Sequence, residues 1–366
     1  MLATRLNNLR TIAVLAILIS AISPMRVLAQ ASVLMHHNDI ARTGQNLEET
    51  ILTPGNVNAA TFGKLFAQKV DGSIVAQPLY VPNVQFSNGT FHNVIYVATQ
   101  HDSVYAFDAD NTLGSNASPL WTVNYPKSIP EDTANYGCTT PGYTEVGIMG
   151  TPVIDPTTKT LYVVSKTLET GQYYFRLHAL DLASGAEKFG GPTTIGATVQ
   201  TNDEPINFTA SIQLQRPALL LFNGEIYIGF GSNGCDAFDY HGWLLAYSAS
   251  TLQQTGIFIA TPGGTKGSFW AAGGGPAVDS DGFIYASTGN GTFDFSVGGT
   301  DFGDSLLKLN TVQNGFNVAD YFTPFNQAML NSMDLDLGSG GVLVLPTQSG
   351  AHPNELVGGG KQGTLY

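Results

Sequence analysis

One pattern recurs along this chain: a short strand carrying a proline, an Ile/Leu-Tyr strand, then a third strand with Ala and Asp near its end. The first copy reads AQPLYV (76–81), NVIYVAT (93–99), SVYAFDAD (103–110) and PLWTVNY (119–125). The second passes through GTPVID, TLYVVSK, FRLHALDLASG and EKFGG between Gly150 and Gly191. A third runs from QRPALLL through EIYIGF and GWLLAYSAST to QTGIFIAT, and a fourth from GGPAVD through FIYAST and DSLLKLN to VADYFTP. A fifth starts at GSGGVLVLP and stops at GTLY. The aligned Pro78, Pro152, Pro217 and Pro276 recur at intervals of roughly 60–75 residues, a blade-sized period with variable loops. A single four-stranded sheet cannot bury both of its faces, whereas a ring of sheets stacked face to face can. The expected fold is therefore all-β, a β-propeller of four-stranded antiparallel blades. About five blades are visible, the last incomplete, and seven or eight are expected in the complete protein.

The flanks divide the chain further. Arg5 and Arg10, an uncharged apolar run from Ile12 to Ile22, and the small residue Ala29 read as a secretory signal peptide over 1–29, too short to span a bilayer. Residues 30–61 read as an extended leader, in which the adjacent His36 and His37 are expected to be solvated. Residues 62–366 read as the propeller, truncated at the C-terminus, with FGKLFAQKV (62–70) as an isolated outer strand that closes the ring. The expected location is secreted or periplasmic, with no membrane span in the mature chain. A net charge of −13 leaves no basic stripe for phosphates, so nucleic acid is excluded as a partner. Cys138 and Cys235, the two cysteines, form a disulfide or stay as free thiols; an oxidising compartment permits either.

The segment ALDLASGAEKF (179–189) resembles the Ala-x-Asp-x-x-Thr/Ser-Gly-x-x-x-Trp docking motif of pyrroloquinoline quinone (PQQ) propellers, with Phe189 at the Trp position. LTPGNVNAATFGKLF (52–66) is similar to the opening segment of quinoprotein alcohol dehydrogenases. That resemblance implies a calcium ion held by oxygen ligands, an aspartate base, a cation near the quinone and a flat aromatic floor. GGGPAVDSDGFIYASTGNGTFD (273–294) resembles the family's stretch of three glycines followed by a calcium-ligating asparagine. It implies cofactor-binding roles for Gly273, Gly274, Gly275 and Asn290, and a metal-ligand role for Asn290. Asp236 falls at the acidic calcium ligand, and Asp301 or Asp304 at the base. Two departures oppose a working quinone site: no Trp follows Gly275, and no two cysteines are adjacent.

Blade topology gathers further polar residues toward one face of the central channel: His101, Asp102, Glu145, Lys166, Arg216, Asp236, His241, Trp270, Asn290 and Lys361. Such a set suits a polar ligand or a partner's loop, and it equally suits ordinary channel lining. The expected function is an exported PQQ-like propeller acting as a ligand- or partner-binding scaffold for a protein, glycan or small molecule, without an intact quinone site. The alternative is a divergent PQQ- and calcium-dependent quinoprotein dehydrogenase that oxidises alcohols or sugars. No Gly-x-Ser-x-Gly or His-Glu-x-x-His motif supports a hydrolase.

Overall fold

Burial on alternate residues sets the architecture. In the strand Thr160–Glu169, Leu161 and Val163 join one buried cluster with Val94, Tyr96 and Ala106, while Tyr162 and Val164 join a second with Ile226, Ile228 and Trp243. Both faces of this sheet are therefore covered by neighbouring sheets, which explains the unbroken apolar run in the sequence. The computed structural model describes residues 31–366 apart from 126–127, 132–143, 202–203, 234–235 and 237. The cysteine pair 138/235 and the signal peptide lie outside the described residues.

Blade 1 is the antiparallel sheet Leu79–Gln85, Phe91–Ala98, Ser103–Asp108 and Trp121–Asn124. Blade 2 follows as Val153–Asp155, Thr160–Glu169, Gln172–Asp181 and Thr193–Thr194. Blade 3 comprises Leu220–Phe222, Glu225–Ser232, Trp243–Ser248 and Gln254–Ile259; blade 4 comprises Ala277–Val278, Ile284–Ser287, Leu306–Val312 and Asn314–Phe322. The fourth strands of blades 3 and 4 pair in parallel at Gly256/Asn314 and Ile257/Gly315, merging the two blades into one curled sheet. Gly256 and Gly315 permit this approach because neither projects a side chain between the strands. A hairpin of Val342–Val344 and Leu356–Gly358 begins the fifth blade, and its third strand is reduced to a single bridge between Gly359 and Leu365. One short helix, Gln327–Ser332, links blades 4 and 5.

Repeated side-chain bonds tie each blade to the next. Tyr96 in blade 1 donates its hydroxyl to Leu182 O of blade 2 at 2.9 Å, and Tyr162 of blade 2 makes the matching bond to Ala249 O of blade 3 at 2.8 Å. The tyrosines of the Ile/Leu-Tyr strands thus hydrogen-bond turn carbonyls that burial would otherwise leave unpaired. Trp121 donates its indole N–H to the same Leu182 O at 2.9 Å. Its ring rests against Gly185, where φ is +69° and a Cβ would lie 2.7 Å from the indole. This Ser-Gly corner belongs to the docking motif, and only glycine meets both the left-handed turn and the ring.

The two segments ahead of blade 1 are held differently. Residues 62–70 form no strand; they run as coil, with Val70 packed on Val97, Tyr105 and Phe107. The apolar spacing suits a strand, yet no ladder lies alongside among the described residues, and an unpaired strand has nothing to hold it. Residues 33–42, by contrast, are woven into the propeller. Val33 exchanges two backbone bonds with Tyr80 of blade 1, and Leu34 O accepts from Ile154 of blade 2 at 2.8 Å. Ile40 O accepts from Val278 of blade 4 at 2.7 Å, and Ala41 O from Val344 of the fifth blade at 3.0 Å. Arg42 reaches Leu219 O, at the start of blade 3. So short a segment can touch the first-strand edges of the five described blades only if those edges converge on it.

Candidate functional site

The long connection between the second and third strands of blade 4, residues 288–305, carries three of the residues singled out in the sequence: Asn290, Asp301 and Asp304. Thr288 N bonds Ser305 O at 2.9 Å, closing the base of the loop as Thr99 N and Ser103 O do in blade 1 at 2.9 Å. Above that base Asn290 and Asp304 turn inward, both buried. The Asn290 backbone N–H donates to Asp336 Oδ1 at 2.7 Å and its amide nitrogen to Asp334 Oδ1 at 2.7 Å, while Asn290 Oδ1 is buried without a partner. Asp304 Oδ1 accepts the Leu337 N–H at 3.0 Å, and Oδ2 accepts Gln327 Nε2 at 3.3 Å. Lys361 places its ammonium 2.5 Å from Asp336 Oδ2 and 3.2 Å from Asp334 Oδ2.

Electrostatics follow from this crowding. Burial, with the Asp336 charge adding to it, pushes the Asp304 carboxyl up to about 7, against the Leu337 N–H and Lys361, which favour its anion. Asp304 is accordingly poised to hold or release a proton near neutrality. Trp270 completes the wall. A Cβ on Gly289 would fall 2.3 Å from Asp336 Oδ1 and 2.8 Å from Trp270 Cδ1, so the missing side chain lets indole edge and carboxylate converge. The Arg216 guanidinium sits over the Trp270 ring, 5.4 Å from its centroid.

Asn290, Asp304, Trp270, Arg216 and Lys361 therefore come together at the junction of blades 3, 4 and 5. Asp334, Asp336 and Gln327 belong with them, although no motif in the sequence marks these three. The remaining candidates lie elsewhere. His101 Nδ1 pairs with Glu145 at 2.9 Å, which raises the imidazole's pKa. Beside them Asp102 is wholly buried, and burial raises its carboxyl well above the usual range. Lys166 is enclosed: it donates to Gln213 O at 2.7 Å, lies over Phe175, and burial lowers its amine to about 7. His241 Nδ1 donates to Thr261 O at 2.9 Å, and Asp301 accepts the Gly263 N–H at 2.8 Å, away from Asp304. Asp236 accepts a bond from Ser232. Of the three glycines, Gly274 O takes the Ala218 N–H at 2.7 Å, and Gly275 gives room to Ala218 O and the Arg42 guanidinium. Gly273 adopts φ +88°.

The residues present can be tested against calcium and a quinone. The orphaned Asn290 Oδ1 suits a hard cation, but Lys361 already neutralises the neighbouring carboxylates. Among the described residues no group of three His, Cys, Asp or Glu side chains is placed to hold a metal. After Gly275, Ala277 and Val278 are buried strand residues that offer no aromatic floor, and Arg216 already covers Trp270. Among the described residues, therefore, neither a full set of calcium ligands nor an aromatic floor is in place. No helix among the described residues is long and apolar enough to cross a membrane.

No protein-family model matches the chain, and no curated protein does. Solved structures match in fold. The quinohemoprotein alcohol dehydrogenase ADHIIG from Pseudomonas putida aligns with 81% of this chain and 40% of its own, at 18% identity and a TM-score of 0.54. The quinohemoprotein alcohol dehydrogenase from Comamonas testosteroni aligns with 91% of this chain and 46% of its own, at 17% identity and a TM-score of 0.57. A europium-containing methanol dehydrogenase aligns with 93% of this chain and 58% of its own, at 14% identity and a TM-score of 0.56. The chain thus spans about half the length of these structures. In fold, this chain is a β-propeller similar to those of the quinohemoprotein alcohol dehydrogenases and the methanol dehydrogenase.

Proposed function

We propose that this protein is an exported propeller that binds a small hydroxyl-bearing ligand, such as a sugar or polyol, at the Asn290–Asp304–Lys361 junction. One observation carries the reading: Asn290 Oδ1 is buried and unpartnered beside a carboxyl that titrates near neutrality. An unpaired buried acceptor costs on the order of 1–3 kcal/mol, and a ligand hydroxyl donating to it recovers that loss. Protonated Asp304 can donate to a second hydroxyl. The test is calorimetric titration of the full chain with a panel of sugars and polyols, alongside Asn290→Ala. Binding that is lost in the variant supports the site; no heat with any member of the panel, or equal binding by the variant, overturns it.

The alternative is a divergent quinoprotein dehydrogenase, and the pairing of Asp304 with Lys361 across Asp336 favours it. A carboxylate able to take a hydroxyl proton beside a fixed cation is what alcohol oxidation requires of a protein. The poor fit of calcium and quinone to the residues present weighs against it. Reduction of an artificial electron acceptor by an alcohol or sugar, dependent on added calcium and PQQ, would establish this reading and displace the first.

A further inference from the structure

We propose that the axis of the propeller is a peptide-binding site, filled in cis by the chain's own leader. Residues 33–42 make the kind of contacts a bound peptide makes. Their backbone pairs with strand edges at Tyr80, Ile154, Val278 and Val344, while Val33, Leu34, Met35 and Ile40 pack on the blade cores and the Arg42 side chain is buried among groups from other blades. Arg42 Nε donates to Pro276 O at 3.0 Å, Nη2 to Leu219 O at 3.0 Å, and Nη1 to His36 O at 2.9 Å. The guanidinium is thus held by three carbonyl oxygens, two of them supplied by blades 3 and 4.

The pocket is built for that group. A Cβ on Gly275 would lie 3.1 Å from Arg42 Nη2 and 2.4 Å from Ala218 O, so the glycine keeps the space open. A lysine cannot reproduce the fan of in-plane donors that three separate carbonyls accept. Leader shape is specified as well. His37, Asn38 and Arg42 have φ of +57°, +67° and +64°, and the Asp39 side chain accepts from Thr43 N at 3.1 Å to fix the turn. Gln77 of blade 1 accepts the His37 N–H at 3.2 Å. The recognised ligand is therefore an extended residue pair followed by a left-handed turn that presents an arginine. Between this segment and blade 1 the chain is exposed coil, with Leu47 83% and Leu65 88% accessible. Affinity along the axis, rather than the covalent connection, is what holds the leader in place.

A protease recognition sequence inserted between Ala59 and Ala60 tests this. After cleavage of the purified full chain, the leader fragment is expected to co-elute with the propeller on gel filtration. A fluorescent synthetic peptide of residues 31–46 is expected to exchange into the site, while the same peptide carrying Arg42→Lys competes at least tenfold more weakly. Because that substitution is made in the peptide, the folded state of the propeller is the same in both arms. Departure of the cleaved leader with the propeller's melting temperature unchanged would overturn the proposal. Equal competition by the two peptides would overturn it too.

Discussion

Asp304 illustrates what a single residue contributes here. Its folded pKa stands near 7 against an ordinary value of 3.8, so the folded state binds the proton more tightly than the unfolded chain. The stability this group contributes is complete below about pH 4 and is lost as pH rises through about 7. Asp304→Asn removes that loss while leaving an oxygen to accept the Leu337 N–H. The melting temperature of the variant is expected to match wild type at pH 4.5 and to exceed it at pH 8 by about 2 °C or more. Scanning calorimetry at the two pH values checks this, and a uniform offset at both would show that Asp304 is not the titrating group. Asp301 and Asp304 both stand before a third strand, and the sequence did not choose between them. Asp334 and Asp336 were not legible, because they reach the site only when residues 333–339 pack against the blade 4 loop, a meeting no local pattern encodes. Lys166 is marked by its position in the repeat, but only the structure shows that Phe175 and the Gln213 carbonyl enclose its side chain.

At the scale of strands and turns, the repeat gave away most of the architecture, since an Ile/Leu-Tyr strand with both faces apolar can be buried only between two sheets. The same logic ranks the tyrosines. Leu182 O receives both Tyr96 and Trp121, so Tyr96→Phe leaves that carbonyl one donor. Ala249 O depends on Tyr162, so Tyr162→Phe strands it. The expected losses are about 0.5 kcal/mol for the first and about 1–2 kcal/mol for the second, additive in the double variant because the two interfaces share no partner. Urea midpoints at constant slope measure them. Gly185→Ala is expected to be worse than either, since it forces a Cβ onto Trp121 at a positive φ. Residues 62–70 show the limit of pattern: their spacing suits a strand, but a strand is a property of two segments, and no second one lies beside them among the described residues.

For the molecule as a whole, cores lie between blades rather than within them, and each interior blade shares its hydrophobic faces with two neighbours. Amide exchange is expected to follow that plan. Blades 2 and 3 should be the slowest to exchange, and the coil at 47–65 should exchange within seconds; equal protection in the two regions would contradict the architecture. The leader was the largest feature hidden from the sequence. Arg42 reads as an ordinary surface arginine until the carbonyls of Leu219 and Pro276 are placed around it. Arg42 and Pro276 are separated by 234 positions along the chain, which has a temporal meaning. During synthesis the leader emerges well before the edges that hold its far end. Until those edges are made, blades 1 to 3 must stand on their pairwise contacts alone. An early segment thus finds its place late, and its docking links blades that lie far apart in the order of synthesis.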